Sequence, residues 1–163
     1  MRRHQTAALR LAAAVSGSTE EARDIVQDAF VQGFRSLDRY RGEAPVRSWL
    51  LRIVANHAKN VLRSTARRRG REDRFAGLDR PPADADPVGQ PVVDRAEVSG
   101  LLDMLAALPE RDREVLALRF VAGLSEADTA STLGVPVGTV KSRASRALAH
   151  ARELLEDRER AHG

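Results

Sequence analysis

The sequence predicts an all-α protein with two small helical domains joined by a flexible linker, the C-terminal one containing a helix-turn-helix. Apolar residues recur at intervals of three and four along most of the 163 residues, and no segment alternates with the period of two that is typical of strands. A segment rich in proline, glycine and aspartate interrupts this pattern. We place the domains at residues 1–69 and 94–163. The linker, residues 70–93, is expected to be extended or disordered, because it cannot bury enough apolar surface to offset its ordering entropy.

The first domain is predicted to contain three helices. The first helix lies between Ala7 and Val15 and is ended by Ser16-Gly17-Ser18. Thr19 is the predicted cap of the second helix, because a hydroxyl followed by two acids is typical of a helix start. The apolar stripe of this second helix is Ile25, Val26, Ala29, Phe30, Phe34 and Leu37. A third helix is predicted from about residue 46 to residue 68.

The most informative segment, residues 124–143, is predicted to form two short helices joined by a tight turn. Ser125 is a good N-cap, because its side-chain oxygen can accept a hydrogen bond from an amide of the first turn. Gly134 supplies the positive φ that ends the first helix, and Pro136 fits the first turn of a second helix that starts near Val137. The inner stripe of the first helix would be Ala127, Ala130 and Leu133. This pattern favours a helix-turn-helix, whose second helix enters the major groove of DNA, over an ordinary helical hairpin.

Hydroxyl and basic side chains cluster at the start of this predicted second helix. Short hydroxyls let the backbone approach DNA, and arginine can bind guanine through two hydrogen bonds or neutralise a phosphate. Recognition helices read bases from their N-terminal turns, so the clustering favours DNA contact over a solvated polar face. The candidate contacts are Thr139, Lys141, Ser142, Arg143 and Arg146.

A second candidate DNA surface lies on the third helix. Two asparagines and two cations occur there with spacings of three and four residues between asparagine and cation or between like residues, which places them on one helical face. Amides can read bases and cations can hold phosphates, although a solvated face would show the same spacing. The four residues are Asn56, Lys59, Asn60 and Arg63. The single tryptophan, Trp49, is expected in the core rather than stacked on a base.

The second helix carries an acidic, amide-bearing face within an otherwise basic half of the chain. Residues 1–75 contain sixteen arginine and lysine residues against eight acidic ones. An acidic face in such a region is unsuited to DNA, and the pattern alone leaves a protein-docking surface and a solvated face equally open. This face consists of Asp24, Gln27, Asp28 and Val31.

Composition argues against several functional classes. Without cysteine there is no disulfide, thiolate metal site or cysteine nucleophile. The four histidines lack ligand spacing, so neither a metal nor a cofactor is expected. No motif typical of catalysis is present. No apolar run is long enough to span a bilayer and the N-terminus does not read as a signal peptide, so we expect a cytoplasmic protein without membrane insertion.

Several segments match one protein family in the same order along the chain. They are residues 24–30 (DIVQDAF), 40–44 (YRGEA), 49–53 (WLLRI) with Asn56, 108–109 (LP) and 137–143 (VGTVKSR). Together they resemble bacterial sigma factors of the sigma-70 family, specifically the small extracytoplasmic-function group, which keeps only regions two and four. The resemblance covers nearly all of residues 5–69 and 94–155.

The resemblance implies a subunit that directs core RNA polymerase to promoters and starts DNA melting. Region two would dock on the clamp coiled coil of the largest polymerase subunit through Asp24, Gln27, Asp28 and Val31. The loop of residues 41–48 would capture a flipped base of the minus-10 element with Arg41, Arg47 and Ser48. The upstream part of that element would meet Asn56, Lys59, Asn60 and Arg63.

The resemblance also implies roles for the C-terminal half. Region four would pack on the polymerase flap and read the minus-35 element through Thr139, Lys141, Ser142, Arg143 and Arg146. An anti-sigma factor would be a further partner. Thr129 and Thr132 depart from the family pattern, because relatives carry larger apolar residues there. We therefore expect a loosely packed helix-turn-helix core.

Two other functions remain open. A free-standing regulator of the response-regulator output type has a similar helix-turn-helix, but its receiver half would show strands and a phosphorylatable aspartate, and residues 1–69 show neither. A protein held mainly by protein partners, such as an anti-sigma complex, with DNA contact secondary, is compatible with the family resemblance.

Overall fold

A computed structural model describes residues 4–72 and 95–162, whose helices form two groups. The first group contains α1 (Gln5–Ser16), α2 (Thr19–Arg35), a 3-10 turn (Leu37–Arg39) and α3 (Val46–Glu72). The second contains α4 (Arg95–Ala107), α5 (Glu110–Leu116) with a π-helical turn (Ala117–Val121), α6 (Glu126–Leu133) and α7 (Val137–His162). No strand occurs in the two described ranges, and the predicted all-α class with two helical groups is confirmed.

The helix ends of the first group follow local signals in the sequence. Gly17 ends α1 with φ of 76°, as predicted. Ser18, rather than the predicted Thr19, caps α2 by accepting a hydrogen bond from the amide of Glu21 at 3.2 Å. The third helix continues to Glu72, beyond its predicted end, so residues 70–72 are helical rather than linker. The rest of the predicted linker lies outside the described residues.

Helix α1 lies between the two groups. It packs against α2 and α3 of its own group and also against α4, α5 and the π-helical turn. From Ala7 onward its residues are mostly apolar and buried or half-buried, with Arg10 exposed, and its small alanine side chains allow neighbouring helices to approach closely. Its buried residues are Ala8, Leu11, Ala12, Ala13, Ala14, Val15 and Ser16. The two groups therefore share one continuous hydrophobic core.

A buried arginine fastens the two groups together. Arg113 of α5 is only 7% exposed. Its guanidinium donates hydrogen bonds to the carbonyls of Val15 at 3.3 Å, Ala106 at 2.6 Å and Leu108 at 3.0 Å. These carbonyls lie at the C-terminal ends of α1 and α4, where backbone acceptors lack partners within the helix. Burial lowers the pKa of Arg113 and the charge of Glu110 opposes that shift. The group stays protonated at neutral pH and complements both helix dipoles.

Candidate nucleic-acid interface

Helices α6 and α7 form the predicted helix-turn-helix. Ser125 Oγ accepts a hydrogen bond from the amide of Asp128 at 3.0 Å and so caps α6. Gly134 ends α6 with φ of 66°, and its amide donates to the carbonyl of Ala130. Helix α7 begins at Val137, as the sequence predicts. The turn is therefore determined by a cap and a left-handed glycine, and it leaves the N-terminal turns of α7 accessible.

The five α7 side chains expected to contact DNA lie on the first three turns of the helix. They are Thr139, Lys141, Ser142, Arg143 and Arg146. Three are exposed, while Thr139 and Arg143 are half-buried. Arg146 Nε donates to the carbonyl of Ser142 at 3.4 Å, and Lys141 Nζ lies 3.6 Å from Glu126 Oε2. Exposed contacts of this kind are weak, so these side chains are free to rearrange on a partner.

The core of the helix-turn-helix differs from the predicted stripe. Ala127 is exposed, so its predicted inward position is wrong. Thr129 is fully buried and Thr132 is 8% exposed. Neither hydroxyl has a hydrogen-bond partner among the described residues. Both hydroxyls are therefore buried without a bond among the described residues, which is energetically unfavourable. The loose packing expected of this core stays a prediction.

Replacing Thr129 with valine is expected to stabilise the protein. The change removes an unsatisfied hydroxyl and keeps the branched shape, and such a group costs roughly 1 kcal/mol or more when buried. The free energy of unfolding in urea should rise by about 1 kcal/mol. A fall instead would mean that the hydroxyl is bonded, for example to a water molecule.

The predicted polar face of α3 is present, but its cations already have partners within the chain. Lys59 Nζ lies 2.7 Å from Glu114 Oε1. Arg63 donates two hydrogen bonds to Glu110, at 2.6 and 3.3 Å, and this carboxylate raises the pKa of Arg63. Both acids belong to α5. The two asparagines of the face are exposed: Asn56 and Asn60.

The loop before α3 folds around an aromatic pair. The ring centroids of Tyr40 and Trp49 are 5.1 Å apart, and the Tyr40 hydroxyl donates to the carbonyl of Ala44. Trp49 is half-buried rather than enclosed in the core. A pocket beside this pair is lined by polar side chains of the 3-10 turn, the loop, the start of α3 and α6, among them Arg39, Arg41, Ser48, Arg52, Ser131 and Thr132.

The three residues of the predicted loop 41–48 that are expected to contact DNA differ in accessibility, and two of them, Arg47 and Ser48, lie in the first turn of α3. Arg41 is exposed. Ser48 is only 3% exposed, so it is reached only through the pocket. The guanidinium of Arg47 donates a hydrogen bond to the carbonyl of Ala122, which follows the π-helical turn. Arg47 therefore contacts the C-terminal group. This contact was not predicted from the sequence, because the partner is a backbone atom far along the chain.

The predicted protein-docking face of α2 is exposed. Its members are Asp24, Gln27, Asp28 and Val31. Beside Val31, a shallow apolar groove is lined by Phe30, Phe34 and Arg35. The exposed face that was predicted to be acidic therefore also has an aromatic side chain, Phe34, beside it.

The C-terminal end of the apolar stripe on α2 was predicted wrongly. Phe34 is 69% exposed and Leu37 is 48% exposed. The reason is the contact between α2 and α3 at Gly33, where an added Cβ would lie 3.3 Å from Leu50 Cδ1. One residue later the side chain is turned by about 100° around the helix, which directs Phe34 away from α3.

The described residues contain neither a helix suited to span a membrane nor a cluster of metal-ligating side chains. None of their helices is long and apolar enough to cross a membrane. No three histidine, aspartate or glutamate side chains among them are grouped to hold a metal ion.

Comparisons with known proteins match both helical groups. The family described as sigma-70 region 2 matches residues 1–68, and the family described as sigma-70, region 4 matches residues 100–150. The chain is 33% identical over 147 residues to the ECF RNA polymerase sigma-E factor of Haemophilus influenzae, covering 86% of this chain and 76% of the relative. It is 36% identical over 154 residues to SigM of Mycobacterium tuberculosis, covering 94% and 74%.

Two solved structures are similar over nearly the whole chain. CnrH in complex with the cytosolic domain of CnrY superposes with a TM-score of 0.71 and 26% identity, covering 96% of this chain and 84% of that one. The sigma factor RpoE of Bartonella quintana, in complex with the anti-sigma factor NepR, gives a TM-score of 0.68 and 29% identity, covering 93% and 92%.

Proposed function

The chain belongs to the extracytoplasmic-function group of sigma-70 RNA polymerase sigma factors, and from that premise we propose how its two halves divide the work. It directs core RNA polymerase to specific promoters and initiates DNA melting. Residues 1–69 dock on the polymerase and open the minus-10 element, residues 94–163 read the minus-35 element, and residues 70–93 connect them. This division is supported by the order of the two matched regions along the chain. Each region also presents an accessible polar face on one of its helices.

The minus-35 element is read by the N-terminal turns of α7. The helix-turn-helix leaves Lys141, Ser142 and Arg146 exposed there, with Thr139 and Arg143 half-buried beside them, which supports insertion of α7 into the major groove. Arg146 and Lys141 are suited to guanine or phosphate. The hydroxyls of Thr139 and Ser142 leave room for the backbone to approach the groove.

The minus-10 element meets α3 and the loop before it. Melting requires no covalent chemistry, because capture of an unstacked base at about 1–3 kcal/mol biases the duplex open once polymerase holds it. The aromatic pair of Tyr40 and Trp49 and the adjacent pocket with Arg41 and Ser48 support such a capture. Asn56 and Asn60, both exposed, would read the upstream bases.

Core polymerase docks on the exposed face of α2. The clamp coiled coil of the largest subunit would contact Asp24, Gln27, Asp28 and Val31, and the neighbouring Phe34 supplies an apolar anchor. The C-terminal group would pack on the flap. Since one solved relative is in complex with an anti-sigma factor, we also propose an anti-sigma partner here. With cytoplasmic polymerase as its main partner, the protein acts in the cytoplasm.

The relatives are transcription initiation factors rather than enzymes, and a free-standing response-regulator output protein is not favoured. A receiver half would be built on a sheet, whereas residues 4–72 contain helices and no strand. The match of residues 1–68 to sigma-70 region 2 identifies this half as a sigma domain rather than a receiver.

Reconstituted transcription tests the proposed function. Core polymerase, with and without this protein, would transcribe a pool of genomic promoter fragments, and the RNA 5′ ends would be sequenced. We expect protein-dependent starts that share two spaced upstream motifs. An absence of new starts, together with tight sequence-specific DNA binding in the absence of polymerase, would instead identify a free-standing regulator.

Replacing Asn56 with alanine is expected to slow promoter opening while leaving polymerase binding unchanged. A base-directed amide contributes about 1–3 kcal/mol, so open complexes should form about tenfold more slowly. Asn56 lies on α3 rather than on the docking face of α2. Opening can be followed by a fluorescent base at the minus-10 element and core binding by anisotropy. Equal loss of both would refute this assignment.

A further inference from the structure

The polar pocket beside the loop before α3 has the size of a small ligand. Its volume is about 160 Å³, below the roughly 300–1,000 Å³ that is typical of pockets for drug-sized ligands. Tyr40 and Trp49, whose ring centroids are 5.1 Å apart, form an aromatic wall on one side. Ser131 and Thr132 line the pocket from α6. A ligand with about one planar ring system and a small polar group fits this space.

Three guanidinium groups of this pocket are available to a ligand. Arg39, Arg41 and Arg52 all line it and are all exposed. None of the three forms an ion pair or a side-chain hydrogen bond with another described residue, whereas Arg47 and Arg63 both have partners within the chain. A cleft lined by charges of one sign attracts counter-ions. The pocket therefore favours an anion.

The charge of the pocket corresponds to that of one phosphate group. Among the described residues that line it, three are arginines and one, Glu43, is acidic, which gives a net charge of +2. A phosphate monoester carries about −1.5 to −2 charges at neutral pH. Arginine binds such a group through two parallel hydrogen bonds. A single phosphate monoester would therefore neutralise the pocket, and further phosphates would bring charge that these residues do not compensate.

Polar side chains of the pocket favour a ligand that also carries hydrogen-bond donors. Thr132 is 8% exposed, and its hydroxyl has no hydrogen-bond partner among the described residues. A buried hydroxyl in this state is unfavourable unless a further group bonds to it. The carboxylate of Glu43 only accepts hydrogen bonds when ionised. An amino or hydroxyl group of a ligand would suit both side chains, whereas a bare inorganic anion would be repelled by Glu43.

We propose that this pocket binds a free nucleoside monophosphate, with the base against the aromatic wall and the phosphate among the three guanidinium groups. A nucleotide combines what the lining requires: a planar ring system, a phosphate monoester, and amino and hydroxyl donors. Aromatic side chains stack on any base, because every base has a π-face. This binding does not depend on the proposed role of the loop at a promoter.

A bound nucleotide has a consequence for transcription, and this consequence does rest on the proposed function. Arg41 and Ser48 of the same pocket are proposed to hold an unstacked base of the minus-10 element. The free nucleotide and that base would occupy the same place. The nucleotide would therefore slow promoter opening by competition.

The fluorescence of Trp49 provides the first test, because it is the only tryptophan in the chain and lines the pocket. Adenosine and guanosine monophosphate would be titrated into the full chain, with a free tryptophan amide titrated in parallel to correct for light absorbed by the base. We expect saturable quenching. Adenosine, guanosine, ribose 5-phosphate and inorganic phosphate should each bind at least about tenfold more weakly, because each lacks the base or the phosphate. No saturable binding of either nucleotide, or equally tight binding of inorganic phosphate, would overturn the proposal.

Replacing Arg52 with glutamine tests the phosphate contact. The variant should bind adenosine or guanosine monophosphate at least about fivefold more weakly in calorimetry, because a charged hydrogen-bond donor is lost. The matched control is Arg111→Gln, which removes the same charge from an exposed side chain of α5 outside the pocket. The control should bind within about twofold of the wild type, since exposed distant charges are screened by salt. Equal affinities of the two variants would overturn the placement of the phosphate.

Replacing Thr132 with valine tests the wall that α6 provides. The change removes the hydroxyl and keeps the branched shape, so nucleotide affinity should fall at least about threefold. Thr129→Val is the matched control, because Thr129 is also a buried α6 threonine without a partner among the described residues but does not line the pocket. Neither variant should unfold at a lower urea concentration than the wild type, so a loss of binding is not a loss of fold. An equal effect of the two changes on affinity would overturn the proposed site.

Promoter opening tests the consequence for transcription. A saturating nucleoside monophosphate should lower open-complex formation by core polymerase and this protein at least about threefold, by mass action on the shared pocket. The protein with Arg52→Gln is the control, because the same nucleotide concentration should inhibit it less. Unchanged opening despite nucleotide binding would overturn the competition. A lack of opening without any nucleotide would instead refute the proposed function, while the Trp49 titration would still decide whether the pocket binds its ligand.

Discussion

Replacing Phe34 with alanine is expected to weaken binding of this sigma factor to core polymerase by about 30-fold or more. Phe34 is 69% exposed beside the acidic face of α2, and exposed aromatic anchors at the centre of an interface contribute about 2 kcal/mol or more. The side chain packs little against its own protein, so the unfolding free energy should change by less than about 0.5 kcal/mol. Anisotropy of the labelled protein titrated with core polymerase measures the affinity.

Leu155→Ala is the control for this prediction. Leu155 is also an exposed apolar side chain, 47% accessible, but it lies near the end of α7. Its replacement should leave polymerase affinity within about twofold. If both variants bind as tightly as the wild type, the apolar groove on α2 is not part of the polymerase interface.

Replacing Arg113 with methionine is expected to lower the free energy of unfolding by about 3 kcal/mol. The carbonyls of Val15 and Leu108 would lose their donor in a buried position and that of Ala106 in a partly buried one, and each unsatisfied buried acceptor costs about 1–3 kcal/mol. The methionine variant no longer has to bury a charge, and the desolvation cost that this avoids offsets part of the loss. Urea unfolding followed by circular dichroism measures the difference.

The matched control is Arg111→Met on the same helix. Arg111 is exposed, so its replacement should change stability by less than about 0.5 kcal/mol. If Arg113→Met is equally harmless, the buried guanidinium contributes nothing net to the junction of α1, α4 and α5. A loss seen only at Arg113 would establish that the buried guanidinium stabilises the junction of α1, α4 and α5.

Local signals allowed the helices and the helix-turn-helix to be predicted. Ser125 and Gly134 determine where α6 begins and ends through a hydrogen bond within three residues and a backbone conformation that glycine adopts readily. The four-residue spacing of the two α3 amides also predicted one shared face, and both Asn56 and Asn60 are exposed. Such features depend only on near neighbours in the chain, so they can be deduced without knowing the fold.

The predictions that failed concern packing between distant segments. Phe34 belongs to an apolar stripe by spacing, yet α3 contacts α2 at Gly33 and leaves the ring in solvent. Ala127 was expected inside and Thr129 was not part of the predicted stripe, but the angle at which α6 packs reverses their exposure. Hydrophobic spacing identifies a candidate inner face, and the position of the neighbouring helix decides which part of it is covered.

The sequence by itself determined the helical class, the helix-turn-helix and the family, because these depend on periodicity, capping residues and motifs that are close in the chain. Only the tertiary structure decided that α1 is buried between the two helical groups and that Glu110 and Glu114 meet Arg63 and Lys59. These acids and cations are separated by more than forty residues. Nothing in the local pattern links them, because an ion pair depends on where two helices cross, and that is set by the packing of the whole core.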